Sequence, residues 1–155
     1  MTRRLARRGT TAPSRRQVAE AVLEITLLVT RLVTPEVRRL RPKRLSLSHV
    51  RALGFLDANP DADLSALADY VGLALPSTST LIDGLTRRGL VVRRAAPNDR
   101  RRLRLRLTGS GKGALGTALA AARRVLDARF AGLSPSDCAL VARALVSLRP
   151  FLMPG

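Results

Sequence analysis

The stretch Leu75-Pro76-Ser77-Thr78-Ser79-Thr80-Leu81-Ile82-Asp83-Gly84-Leu85-Thr86-Arg87-Arg88-Gly89 decides how the rest of the chain is read. Thr78, Leu81, Ile82 and Leu85 fall at i, i+3, i+4 and i+7, one face of a helix. Ser77, Ser79, Thr80, Asp83, Gly84 and Arg87 are left on the opposite face, where small hydroxyls and charge meet solvent. Just upstream, Leu64, Leu67, Ala68 and Val71 mark a shorter helix, with Asp63 as its cap and Gly72 as its stop. Two short helices joined by a tight glycine-containing turn, the second exposing hydrogen-bonding side chains near its start, form the pattern of a helix-turn-helix.

Downstream of Gly89 the periodicity changes from helical to alternating. Leu90-Val91-Val92-Arg93-Arg94 begins a strand, Pro97-Asn98-Asp99 is a turn, and Leu103, Leu105 and Leu107 alternate with Arg102, Arg104 and Arg106. This predicts a β-hairpin with one apolar and one basic face. Between Arg93 and Arg106 stand seven arginines and one aspartate. A charge run is often only a solvated face, but this one follows a helix-turn-helix directly, placed to reach a neighbouring groove and neutralise phosphates.

The flanks are helical. Val18, Ala21, Val22, Ile25, Leu28, Val29 and Leu32 give a long amphipathic helix from Arg16 to Val33. Pro35 is expected to kink or end it, with Val37 and Leu40 in a shorter piece before Pro42. Ser46 or Ser48 caps a helix through Ala58, and His49 in its first turn reads as a capping or surface residue. Gly109-Ser110-Gly111-Lys112-Gly113 is not a phosphate loop: Lys112 is followed by glycine rather than Ser or Thr, and no suitable strand precedes it. Leu115, Leu119, Ala122, Val125 or Leu126, and Phe130 mark another long helix. Ser134-Pro135-Ser136-Asp137 caps a last one, with Leu140, Val141, Ala144, Leu145 and Leu148 expected on its inner face. The expected organisation is a basic disordered arm (1–15), an N-terminal dimerisation helix region (16–44), a DNA-binding unit (45–108) and C-terminal dimerisation helices (109–155). The fold class is mainly α with a small β-hairpin wing.

Composition agrees with this reading and removes others. The chain has 155 residues, a size that buries roughly 70% of its unfolded surface. Its 28 basic and 11 acidic residues give a net charge of +17, while 46% of residues are apolar. Such a chain folds and seeks polyanions. One cysteine and one histidine exclude an internal disulfide and a four-ligand zinc site, so neither metal nor cofactor is expected. Cys138 reads as a small thiol with no second cysteine to resolve its oxidation. Val18 to Val33 carries Glu20, Glu24 and Arg31, so neither a membrane span nor a signal peptide is expected, and cytoplasm is the default. No paired-carboxylate or nucleophile–base constellation suggests an enzyme. With Phe55, Tyr70, Phe130 and Phe151 the only aromatics, and none in the hairpin, RNA binding by stacking is disfavoured.

Three segments together resemble the MarR family of winged helix-turn-helix regulators: Leu64 to Asp69, Ser77 to Val91, and Pro97-Asn98-Asp99-Arg100-Arg101 with Leu103 to Thr108. The Asp-Arg-Arg wing signature and the Leu107-Thr108 closing the second wing strand stand at the family's separation. The resemblance runs from about residue 17 to the end. It implies a bacterial homodimer that binds palindromic double-stranded DNA, most often as a repressor, with affinity modulated by a small-molecule effector. It also implies that the helix from Leu75 to Arg88 reads the major groove through Ser77, Ser79, Thr80 and Arg87. The wing would contribute Asp99, Arg100, Arg101 and Arg102, with Arg101 entering the minor groove and Asp99 orienting an arginine. Ala74, Thr80 and Gly84 depart from the family's usual polar cap and longer side chains. A competing expectation is a sequence-tolerant nucleoid-associated or architectural protein, which the charge, the arm and this short-side-chain face would also suit.

Overall fold

The computed structural model describes residues 12–40, 45–96 and 99–152, with the backbone alone at 96 and 99–102. Six helices and one hairpin follow in the order α1 (Arg15–Arg39), α2 (Leu47–Ala58), α3 (Leu64–Val71), α4 (Leu75–Arg87), β1 (Val91–Ala96), β2 (Asp99–Leu107), α5 (Gly109–Phe130) and α6 (Pro135–Leu152). The winged helix-turn-helix architecture is therefore as expected.

Each start has a chemical cause. Ser14 caps α1 by accepting from the Gln17 N–H at 3.3 Å, while Gln17 Oε1 accepts from the Ser14 N–H at 2.8 Å. Arg15, the last residue of the expected arm, is thus helical; residues 1–11 of that expectation lie outside the described residues. Of the kink or end expected at Pro35, the end does not occur. α1 continues through it to Arg39, so the loss of one amide donor is tolerated where Val33 and Val37 on either side are buried in the core. Ser46 caps α2, Asp63 caps α3 through the Ala66 N–H at 2.9 Å, and Gly72 closes α3 at φ 69°, a conformation glycine adopts without strain.

The core lies inside the winged unit. Leu53 and Leu56 of α2, Leu67 of α3, Ile82 and Leu85 of α4, Leu90, and Leu105 of β2 are fully buried. At roughly 1.5–3 kcal/mol per buried aliphatic side chain, these outweigh anything a surface ion pair contributes. A two-stranded hairpin is marginal alone. Here Val91, Leu105 and Leu107 bury one face of it, as the alternation predicts, while Leu103 nearer the tip stays half exposed. Leu115 and Ala118 of α5, with Val33 and Val37 of α1, complete the core. The Phe55 and Tyr70 rings stack on each other at 4.8 Å, joining α2 to α3.

The last helix departs from the inner face expected of Leu140, Val141, Ala144, Leu145 and Leu148. α6 buries no residue: Leu140, Val141, Leu145 and Phe151 are exposed in the single chain. Leu119 and Phe130 of α5 and Leu23, Ile25, Leu27 and Leu28 of α1 are exposed as well. The helical period is right, but no described residue of the chain covers these positions.

His49 completes a capping box with Ser46, its Nδ1 accepting from the Ser46 N–H at 3.0 Å. Partial burial lowers its pKa and the Arg88 cation adds to this, so the folded chain favours neutral imidazole. With the folded pKa depressed, the contribution is full above about pH 6.5 and is lost as pH falls below that value. The thermal midpoint should drop between pH 7.5 and 5.5, and H49Q, which retains a capping acceptor without titrating, should flatten that part of the profile. Identical profiles for the two proteins would remove His49 as the cause.

Candidate nucleic-acid interface

α4 carries the face on which the functional reading depends. Thr78, Ile82 and Leu85 are buried and Leu81 partly so, which turns Ser77, Thr80 and Arg87 to solvent with Ser79 and Asp83 half-buried beside them. All four residues expected on the recognition helix thus lie on one accessible surface. Ala74 gives α4 no side-chain cap, and Pro76 removes one orphan donor, so the N–H groups of Leu75 and Ser77 meet whatever approaches that end. The Thr78 hydroxyl is spent on the Ala74 carbonyl at 3.1 Å.

The hairpin is fixed relative to α4. Arg93 Nη2 of β1 reaches Asp83 Oδ1 at 2.7 Å, tying the exposed face of the helix to the root of the wing. On the other side, the turn after α2 docks along β2. The Leu105 N–H donates to the Ala62 carbonyl at 2.8 Å, and the Asp61 N–H donates to the Leu105 carbonyl at 3.1 Å. Asp61 sits at φ 64°, a left-handed conformation that Asp tolerates better than most residues. Its carboxylate takes Arg106 through both oxygens, Nε at 3.0 Å to Oδ1 and Nη2 to Oδ2, and its carbonyl accepts from Arg104 Nη1 at 3.2 Å. The Arg106 hydrogen bond holds the Asp61 carboxyl below its ordinary pKa, and Asp61 raises that of Arg106 in return.

Residues 45–102 match the model of the MarR family. The winged-helix segment is of the MarR family. Solved structures extend the likeness beyond that segment. A transcriptional repressor, CouR, bound to a 23-mer DNA duplex is 25% identical, covers 90% of this chain and 99% of its own, and has a TM-score of 0.66. Apo MarR from E. coli is 16% identical over 90% of this chain and 98% of its own, with a TM-score of 0.74. Bordetella bronchiseptica BpsR, described in connection with regulation of its DNA binding by 6-hydroxynicotinic acid, is 17% identical over 86% and 98%, with a TM-score of 0.64. The fold, flanking helices included, is the MarR fold.

In this MarR-type unit the arginines of the hairpin divide into two groups. Arg93, Arg104 and Arg106 are held by Asp83 and Asp61, so the basic face expected of Arg102, Arg104 and Arg106 is partly consumed within the protein. Arg94 is exposed. Asp99, Arg100, Arg101 and Arg102 open β2, and their side chains lie outside the described residues, as does the expected pairing of Asp99 with an arginine. The sequence reading missed Asp61, whose only local signal was its place in an Asn-Pro-Asp turn. Among the described residues no group of His, Cys, Asp and Glu could hold a metal, and no helix is long and apolar enough to cross a membrane.

Asp61 gives a prediction for the wing. D61N keeps a residue tolerant of the left-handed turn but removes the charge that gathers Arg106, so the Leu105 amide should exchange faster while α4 amides are unaffected. Equal exchange at Leu105 in both proteins would mean that the backbone bridge alone docks the strand.

Proposed function

We propose that the chain is a homodimeric, sequence-specific double-stranded DNA-binding regulator of transcription, acting as a repressor, whose operator affinity is modulated by a small-molecule effector. The observation that carries this is the Asp83–Arg93 bond at 2.7 Å: it makes the exposed face of α4 and the root of the hairpin one surface, as reading two adjacent grooves requires. Ser77, Ser79, Thr80 and Arg87 would meet base edges and phosphates of the major groove, and the wing residues Asp99, Arg100, Arg101 and Arg102 would lie on the flanking DNA, Arg101 entering the minor groove and Asp99 orienting an arginine. Dimerisation is supported by the apolar stripes of α1 and α6 that the single chain leaves open. Pairing them would set two α4 helices about 34 Å apart, one turn of the duplex.

Effector control is supported by the relative BpsR and by the position of α5. Its first turns are packed into the winged unit at Gly111 and Leu115, and its far end lines a groove of about 460 Å³ with Leu119, Ala122, Leu126 and Phe130. A ligand favouring one spacing of the two α4 helices would change DNA affinity by its differential affinity for the two arrangements. An architectural, sequence-tolerant reading is favoured by the short side chains of the α4 face.

The specificity ratio at fixed salt separates the two. A regulator should prefer its operator over scrambled duplex by at least about 10³, and a ratio near one would establish the architectural reading. R101A should weaken operator binding and lower the slope of log affinity against log salt by about one phosphate equivalent, with the dimer intact. An unchanged slope would take Arg101 off the DNA.

A further inference from the structure

The hydrogen-bonding state of the α4 face restricts which bases it can read. The Thr80 hydroxyl donates its proton to the Pro76 carbonyl one turn back, at 3.1 Å. What the exposed side chain offers outward is therefore an acceptor lone pair and a methyl group, with no donor. Ser77 and Ser79 have no hydrogen-bonding partner among the described residues, so their hydroxyls are free to turn either way. One turn after Thr80 comes Gly84, where an added Cβ would meet nothing within 4 Å. That space stays empty and lets the backbone lie close to the floor of a groove.

Guanine presents two acceptors, N7 and O6, to the major groove, and its common reader is a bidentate Arg or Lys. The exposed face of α4 carries no cation before Arg87 in its last turn, and the nearby Arg93 is engaged by Asp83. Thymine presents a C5 methyl group, and adenine presents an amine that requires an acceptor. Both suit what Thr80 has left.

We propose that Thr80 lies over an A·T pair in each half-site, its methyl group against the thymine C5 methyl and its oxygen serving only as an acceptor, and that no guanine is read there. The proposal rests on α4 being the major-groove helix. Duplexes enriched by the wild-type protein from a random pool provide the probe, with each thymine replaced in turn by deoxyuridine, which lacks only the methyl group. At one thymine per half-site the replacement should weaken binding about fourfold, the worth of one buried methyl-sized group. T80S, which keeps the hydroxyl and loses the methyl, should show no such penalty, and T80V should retain it. Tolerance of deoxyuridine at every thymine by the wild-type protein, or an equal penalty in T80S, overturns the proposal while leaving α4 as the reader. A pool that returns no preferred sequence overturns the major-groove assignment itself.

Discussion

Replacing Gly111 with alanine is expected to destabilise the protein by about 3 kcal/mol, at the upper end of ordinary overpacking costs. A Cβ there would lie 2.2 Å from the Leu90 carbonyl oxygen and 2.6 Å from Leu107 Cδ1. The leucine tip can rotate, but the carbonyl cannot recede freely. It accepts from the Thr108 N–H at 3.0 Å and from the Thr108 hydroxyl at 3.1 Å, and that same hydroxyl caps α5 by accepting from the Gly111 N–H at 2.9 Å. Retreat would break the joint between the end of the wing, the turn after α4 and the start of α5. G116A on the same helix is the control: nothing lies within 4 Å of its added Cβ, so it should stabilise by about 1 kcal/mol through helix propensity. Urea denaturation of the three proteins checks both signs, and a G111A midpoint equal to the parent's would mean that the joint is slack.

The second large effect belongs to α6. L145E should convert the proposed dimer to monomers and weaken operator binding by about 10²-fold or more, because two linked half-site contacts become independent ones. Leu145 is 63% exposed and α6 contributes no buried residue, so the core of the winged unit has no reason to unfold. Light scattering reports the mass, circular dichroism the fold, and binding anisotropy the affinity. A variant that remains dimeric with unchanged affinity would place the interface elsewhere.

These two sites show how far the sequence could be read. The helices and the hairpin were legible because their signals are local: Ser46 and Asp63 cap where their side chains predict, and the Leu105–Leu107 alternation names the buried face of the wing, while the caps at Ser14 and Thr108 went unread. The exposed face of α4 followed from the same period. Gly111 was legible only as part of a glycine cluster unlike a phosphate loop, since its role depends on a carbonyl from Leu90, far away along the chain. The engagement of Arg104 and Arg106 by Asp61 was hidden for the same reason: pairing across more than forty positions leaves no periodic trace. At Pro35 the end that local propensity allows does not occur, because Val33 and Val37 gain more from burial on one continuous helix. The stripe on α6 was read correctly as apolar and wrongly as an inner face, because periodicity reports that a face is oily and not what covers it.

The central claim is that α4 and the hairpin of each protomer grip adjacent grooves of one duplex, two protomers at a time. Enrichment of bound duplexes from a random pool at physiological salt tests it most directly. The account predicts an inverted repeat whose half-site centres stand about 10 base pairs apart. Enrichment of an unsymmetrical site, or of no sequence at all, would contradict it.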